Sequence, residues 1–149
     1  MITIINYFDR SAISYAILPI QKDLNLNDVQ FGAIGSGLGI GYLFMTLFGG
    51  ILVDKYGSIK IWAIGAFFWS AVTICMGFAQ GFASFFCLRV LLGVAEGIHF
   101  PALIKTVADW LQIKSRARFL SFSLLGVPLS SVLGAPLITY LIEAASWRS

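Results

Sequence analysis

The chain has 149 residues and a formal net charge of +3, and 58% of its residues are hydrophobic while only 11% are charged. A soluble domain carries about 25% charged residues, so this chain has too few to form a water-facing surface. Its basic residues lie mostly between apolar runs and do not cluster on one polar face, which argues against nucleic-acid binding. The composition therefore predicts a membrane protein solvated largely by lipid.

Five segments are long and apolar enough to cross a bilayer, which takes about 20 residues. They are residues 1–20, 31–53, 61–79, 82–104 and 119–142, and the longest polar segments between them are residues 21–30 and 105–118. We expect an all-α fold with about five transmembrane helices. Cys75 and Cys87 lie inside apolar runs without metal-ligand spacing, so we expect no metal and no other cofactor.

The loop charges predict the orientation. The loops after the second and fourth spans hold six basic residues, and the opposite side holds two. The first set is Lys55, Lys60, Lys105, Lys114, Arg116 and Arg118, and the second is Lys22 and Arg148. Because basic loops stay in the cytoplasm, the N-terminus is predicted to be cytoplasmic in a multi-pass cell (inner) membrane protein.

Small and ring-constrained residues predict the helix packing. Three glycine pairs have a spacing of four, which allows close helix approach in lipid and, alternatively, helix sliding during transport. The pairs are Gly35 with Gly39, Gly37 with Gly41, and Gly93 with Gly97. Pro128 and Pro136 are expected to bend the fifth span.

Charged residues inside the spans indicate function, because a charge at the bilayer centre costs roughly 3 kcal/mol or more. The first span contains Asp9 and Arg10, and the fourth contains Arg89 and Glu96 on one helix face, with Gly93 expected to leave room between them. Arginine binds carboxylates through two parallel hydrogen bonds, and a desolvated carboxyl group can take up a proton near neutral pH. Such a cavity would bind an anion and a proton. The alternative is a static ion-pair network that holds helices together.

Three polar residues outside this set have more ordinary interpretations. His99, one turn after Glu96, is either a proton relay or a neutral hydrogen-bonding group in a helix interface. Asp54 is expected to cap the helix that follows it and to pair with basic groups, and Gly57 to permit a tight turn. Ser36 and His99 belong to no nucleophile motif, so no enzyme is predicted.

The segment from Gly50 to Lys60 carries a recognisable motif. Gly50-x-x-x-Asp54-Lys55-x-Gly57-x-x-Lys60, between the second and third spans, resembles the signature loop of the major facilitator superfamily. Other segments are similar to its anion:cation symporter family. They are Asn6-Tyr7-Phe8-Asp9-Arg10, Arg89-x-x-x-Gly93-x-x-Glu96-Gly97, Phe100-Pro101-Ala102, Trp110, and Trp147-Arg148.

The resemblance implies roles for these residues. The family has twelve helices in two halves with the site between them, so this chain is expected to be an incomplete N-terminal domain, residues 1–149, lacking the C-terminal half. The implied gating loop consists of Gly50, Asp54, Lys55, Gly57 and Lys60. Arg10 and Arg89 would bind the substrate together with Tyr7 and Tyr42, and Asp9 and Glu96 would be the proton-coupling residues.

These expectations predict proton-coupled symport of a small organic anion, with sodium as the alternative coupling ion. The partners implied are the anion, a proton, the lipid bilayer and the missing half, with no nucleic acid. The fifth span lacks the Gly-Pro-x-x-Gly-Gly element of drug/proton antiporters, which favours symport over drug export. The competing hypothesis is a truncated, non-transporting fragment that only associates with other helices.

Overall fold

A computed structural model describes residue 7, residues 17–24 and residues 26–144 of the chain. Within those residues every regular element is an α-helix, as predicted. The helices are α1 (Ile17–Asp23), α2 (Asp28–Tyr56), α3 (Ser58–Met76), α4 (Phe82–Gly97), α5 (His99–Trp110), α6 (Ile113–Leu124) and α7 (Gly126–Ala144). Most of the predicted first span lies outside the described residues, as do Asn6, Asp9, Arg10, Trp147 and Arg148.

Four helical stretches among the described residues are long and apolar enough to cross a membrane. They are Asp28–Tyr56, Ser58–Met76, Phe82–Trp110 and Ile113–Tyr140, in the places of the second to fifth predicted spans. Large apolar side chains on them remain exposed, including Leu47 at 67% and Phe67 at 78%. Lipid solvates such side chains where water would not, so the exposed surface fits a bilayer.

Helix α2 begins three residues before the predicted span, because a capping box fixes its start. The Asn27 side chain accepts a hydrogen bond from the backbone N–H of Gln30 at 2.8 Å, and the Gln30 side chain accepts one from the backbone N–H of Asn27 at 3.1 Å. The helix has 29 residues, which at 1.5 Å each gives about 43 Å. It is therefore longer than the bilayer core of about 30 Å, and its polar ends extend beyond that core.

A single glycine separates α2 from α3. Gly57 has φ +90° and ψ 140°, a conformation that a residue with a Cβ adopts only with strain. The tight turn expected at Gly57 is therefore present. Helix α3 begins at Ser58 and ends at Met76, so it starts and stops three residues before the predicted span of 61–79.

The predicted polar loop 105–118 is wrong, because most of that segment is helical. Helix α5 continues to Trp110, and α6 begins at Ile113 after a break of two residues. Lysine and arginine are good helix formers, and Lys105 pairs with Asp109 one turn further on, at 3.0 Å. Low hydropathy marked the end of the apolar run there, not the end of the helix.

The break between α6 and α7 falls close to the first of the two prolines. Pro128 has no N–H, so the carbonyl of Leu124 loses its partner in the helix, and α6 ends at Leu124. Pro128 itself lies in the first turn of α7, where proline is tolerated. Pro136 lies inside α7 without interrupting it.

The chain forms two compact units, residues 1–25 with 112–149, and residues 26–111. In the second unit, α4 packs along α2 and also contacts α3, while α5 contacts both α2 and α3. Leu38 of α2, Trp69 of α3 and Leu92 of α4 belong to one buried apolar cluster. Helix α4 therefore occupies the centre of this unit.

Two of the three glycine pairs lie in the interface between α2 and α4. A Cβ on Gly41 would overlap the carbonyl oxygen of Val90, and one on Gly93 would overlap that of Leu38. An added Cβ on Gly37 would lie 3.0 Å from the Phe86 ring, and one on Gly97 would lie 2.9 Å from the Tyr42 carbonyl oxygen. By contrast, Gly35 and Gly39 have no described atom within 4 Å of an added Cβ. The absence of side chains lets the two backbones touch, as expected for helices packed in lipid.

Candidate substrate and coupling site

Arg89 and Glu96 are both buried on one face of α4, at 3% and 1% exposure. At about 100° per residue, Phe85, Arg89 and Glu96 lie within about 40° of one another around the helix. This face lies between the side that carries Gly93 and Gly97 against α2 and the side that carries Ala95 against α3. The buried charges predicted from the sequence are therefore on one wall of the central helix.

Phe85 provides a contact for the arginine. The guanidinium carbon of Arg89 lies 6.0 Å from the centroid of the Phe85 ring, and Phe85 is 1% exposed. A desolvated contact between a cation and a ring contributes about 1–2 kcal/mol. The ring can therefore help to orient Arg89 without neutralising its charge.

Gly93 does not leave the open space that the sequence suggested. Its face is filled by the backbone of α2, because an added Cβ would overlap the Leu38 carbonyl oxygen and lie 2.8 Å from the Tyr42 nitrogen. Gly93 therefore serves helix packing. A substrate would have to approach Arg89 and Glu96 along the adjacent face of α4.

Tyr42 lies on α2 at the level of Glu96. Its backbone oxygen is 2.9 Å from where a Cβ would stand on Gly97, the residue after Glu96. Its side chain is half-buried. Tyr7 is helical and half-buried in the other unit, and the remaining two predicted residues of the first span, Asp9 and Arg10, lie outside the described residues.

The expected gating loop is mostly helix. Asp54 lies in the last turn of α2 and does not cap α3, whose first turn follows Gly57 directly, so the predicted cap is wrong. Its carboxylate lies 3.9 Å from the Lys105 ammonium group, which bonds to Asp109 at 3.0 Å. Both acids are exposed, so each pair contributes about 1 kcal/mol or less. The expected pairing of Asp54 with a basic group is present.

The other three residues of that loop have different surroundings. The Lys55 ammonium group lies 5.4 Å from the centroid of the neighbouring Tyr56 ring. Lys60 is exposed in the first turn of α3, and Gly50 has no described atom within 4 Å of an added Cβ. A basic, exposed surface therefore flanks the turn at Gly57.

Sequence reasoning missed a polar contact near Glu96. The indole N–H of Trp62 on α3 donates to Nδ1 of His99 on α5 at 3.2 Å. His99 is only 4% exposed, and its ring meets the Trp62 ring edge-on with centroids 5.5 Å apart. Since an accepting Nδ1 carries no proton, the ring is neutral in this arrangement. This geometry favours the interface interpretation of His99 over a proton relay.

The chain is similar to several proteins that are named as transporters. The chain is 36% identical over 99% of its length to the probable galactarate/D-glucarate transporter GarP of Escherichia coli (strain K12), covering 35% of that protein. It is 34% identical over 97% of its length to the hexuronate transporter of Bacillus subtilis (strain 168), covering 34%. It is also 31% identical over 93% of its length to a quinolone resistance transporter of Acinetobacter baumannii, covering 32%. The chain thus spans about a third of the length of these curated relatives.

A solved structure shares the fold. The inward-facing, occupied form of a bacterial homologue of the human lysosomal transporter Spinster matches with a TM-score of 0.83 and 25% sequence identity, over 89% of this chain and 29% of that one. The family model of the Major Facilitator Superfamily matches residues 1–149. The packed membrane helices, the motif that ends at Lys60 and these matches agree, and the chain belongs to the major facilitator superfamily.

Proposed function

We propose that this chain is part of a secondary transporter that moves a small organic anion together with a proton. The observation that carries the proposal is the burial of Arg89 and Glu96 on one face of the central helix. Removing a charge from water costs several kcal/mol after relaxation. Apolar contacts would be enough to hold the helices together. Two buried charged groups therefore suit a binding role better than a purely structural one.

The two residues have different chemistry and lie at different depths. Arg89 supplies a permanent positive charge with fork geometry for a carboxylate, and Glu96 supplies a group that can gain and lose a proton. Seven residues of helix place their Cα atoms about 10 Å apart along the axis. An anion and a proton can therefore occupy separate positions on one helix. Arg10 and Asp9 would extend this set from the first span, and Tyr7 and Tyr42 would line the cavity.

The substrate class follows from the relatives. Galactarate and D-glucarate carry two carboxylates, and hexuronates carry one, so each offers a planar anion that an arginine can hold through two hydrogen bonds. Two arginines in the complete site would match the two ends of a sugar diacid. We therefore place sugar acids first among the candidate substrates.

The remaining proposals concern the setting of the site. The N-terminus is cytoplasmic, as the loop charges described above indicate. The membrane is the inner cell membrane. Gly50, Asp54, Lys55, Gly57 and Lys60 then face the cytoplasm as a gating segment, with Lys105 joining α5 to it through Asp54 at 3.9 Å. A C-terminal half, supplied by the rest of a longer protein, completes the site.

Drug export is the second candidate, because one relative is named as a quinolone resistance transporter. A quinolone with a carboxylate could use the same arginine. The two candidates differ in the direction of transport. A symporter uses protons that flow down their gradient to accumulate its substrate inside the cell, whereas a drug exporter expels its substrate.

A chimera tests the proposal. In it, this chain replaces the segment that it matches in the Escherichia coli galactarate/D-glucarate transporter, and the purified protein is reconstituted into liposomes. We expect saturable uptake of labelled galactarate that increases with an inward proton gradient. Arg89→Lys keeps the charge but loses the fork, so it should raise the KM for galactarate by about 10-fold or more.

Folding and specificity need their own controls. The parent transporter, prepared in parallel, reports on the assay, and size-exclusion chromatography reports on folding. If the chimera misfolds, co-expression of this chain with the separate remainder of the parent provides a second arrangement. A folded protein that takes up no sugar acid while the parent does would overturn the proposal, and proton-driven expulsion of a quinolone would replace it with drug export. Saturable uptake by the 149-residue chain alone would exclude the non-transporting fragment.

A further inference from the structure

The membrane-spanning stretch Phe82–Trp110 is broken one residue beyond the site. Helix α4 ends at Gly97, Ile98 is in a turn, and α5 begins at His99. Pro101 explains the break, since its nitrogen has no hydrogen to donate to the carbonyl of Gly97, four residues earlier. The Thr46 hydroxyl of α2 donates to that carbonyl at 3.5 Å. Between Glu96 and His99 the stretch therefore lacks one backbone hydrogen bond, although Ile98 keeps helical angles of φ −71° and ψ −24°. We call this junction the hinge.

Close contacts surround the hinge on both sides. On the α2 side, an added Cβ on Gly49 would be 3.6 Å from the Pro101 ring and 3.8 Å from the Cα of Ile98. On the α3 side, one on Gly65 would be 3.4 Å from the Ala95 carbonyl oxygen and 3.6 Å from Ile98. Van der Waals contacts of this kind are less directional than a hydrogen bond.

The hydrogen bond from Trp62 to His99 does have a preferred direction. It joins α3 to the first residue of α5 at 3.2 Å, with both rings held edge-on. His99 also meets the Phe100 ring edge-on at 5.7 Å. A short bond between two planar side chains restricts both distance and rotation. It therefore determines how the first turn of α5 is set against α3, just after the turn that carries Glu96.

We infer that Trp62 and His99 are positioning residues that hold Glu96 in its proton-binding geometry by fixing the hinge between α4 and α5. This inference rests on the proposed role of Glu96. Neither residue needs to touch the substrate. Breaking their hydrogen bond would let the hinge relax and change the surroundings of the Glu96 carboxyl group, while Arg89, two turns back within α4, keeps its position.

Substitutions in the chimera test this inference. Trp62→Phe removes the N–H and keeps a ring, and His99→Leu removes the acceptor and keeps the volume. His99→Asn places an oxygen close to the position of Nδ1 and should preserve the bond. One buried hydrogen bond of ordinary strength predicts a fall in proton-driven uptake of about 2- to 12-fold. It also predicts a shift of about 0.4 to 1 unit in the pH midpoint of uptake.

The pattern across variants separates positioning from mere stability. We expect Trp62→Phe and His99→Leu to shift the pH midpoint of uptake and to leave galactarate exchange within about 2-fold of the unsubstituted chimera. His99→Asn should behave like the unsubstituted chimera in both measurements. The double variant should be no worse than either single one, because both lose the same bond. An unchanged midpoint, or an equal loss of uptake and exchange with a lowered melting temperature, would overturn the inference. If Glu96→Gln leaves proton-driven uptake intact, the proposed function fails instead, whatever Trp62 and His99 do.

Discussion

The contact between α2 and α4 predicts opposite effects for two alanine substitutions on the same helix. A Cβ on Gly41 would overlap the Val90 carbonyl oxygen and lie 2.9 Å from the Val94 nitrogen, so the two backbones would have to separate. A Cβ on Gly39, two residues away, has no described atom within 4 Å. Gly41→Ala should therefore destabilise the chain, and Gly39→Ala is a matched control with the same change in helix propensity.

The expected magnitudes follow from this geometry. Ordinary contacts to a methyl carbon begin near 3.4 Å, so Gly41→Ala requires the helices to separate by about 1 Å, which forfeits up to half of the dispersion energy across the contact. Overpacking of this kind costs about 1–3 kcal/mol. Gly39→Ala instead gains up to about 1 kcal/mol of helix propensity. Because both substitutions bring the same gain in helix propensity, only the overpacking cost separates the two variants. At about 4 °C per kcal/mol for a chain of this size, their melting temperatures should differ by about 4 to 12 °C.

Thermal denaturation of the purified chain in detergent, followed by size-exclusion chromatography, measures the difference. Gly93→Ala acts at the same crossing, through the Leu38 carbonyl oxygen. The double variant Gly41→Ala with Gly93→Ala should cost less than the sum of the two, because helices that have separated already accommodate the second methyl group. A Gly41→Ala protein that melts at or above the temperature of Gly39→Ala would refute the packing described here.

Three further stability predictions use the same denaturation assay. Gly57→Ala should lower the free energy of unfolding by about 1–3 kcal/mol because φ at Gly57 is +90°. Gly50→Ala is the control and should be neutral or stabilising, since Gly50 lies in a helix with open space around it. Equal effects of the two substitutions would contradict the turn geometry. Asn27→Ala should cost about 0.5–2 kcal/mol through loss of the capping box, and Asn27→Asp should retain most of it. Asp109→Ala should lower the free energy of unfolding by less than about 1 kcal/mol, because its ion pair with Lys105 is partly exposed. In 1 M NaCl the variant and the unsubstituted chain should be equally stable. A larger loss that does not depend on salt would indicate a buried network instead.

Hydropathy and spacing predicted much of the architecture because lipid imposes strong constraints. An apolar stretch of sufficient length is expected to be a helix in the bilayer, and small residues four apart allow close approach, as at Gly37 with Gly41 and Gly93 with Gly97. The buried face with Arg89 and Glu96 also followed from spacing alone, since seven residues are nearly two full turns. Each of these inferences depends on one helix at a time.

The errors arose where neighbouring segments decide the outcome. The segment 105–118 is helical although it is polar, because hydropathy reports affinity for lipid and not the ability to form a helix. Gly93 was expected to leave space, and the backbone of α2 occupies it. The bond from Trp62 to His99 joins residues 37 positions apart, and their types carry no signal that they meet. Such contacts depend on how three helices pack, which one sequence does not specify locally.

The central claim is that Glu96 carries the proton that drives uptake while Arg89 holds the anion. The most direct test measures galactarate transport by the chimera in two ways. The first is uptake driven by a proton gradient, and the second is exchange across a membrane without a gradient. Asp28→Asn, which neutralises an exposed carboxylate in the first turn of α2, is the control. The account predicts that Glu96→Gln abolishes driven uptake and leaves exchange within about 2-fold, with the control unchanged in both. Driven uptake that persists in Glu96→Gln would contradict it.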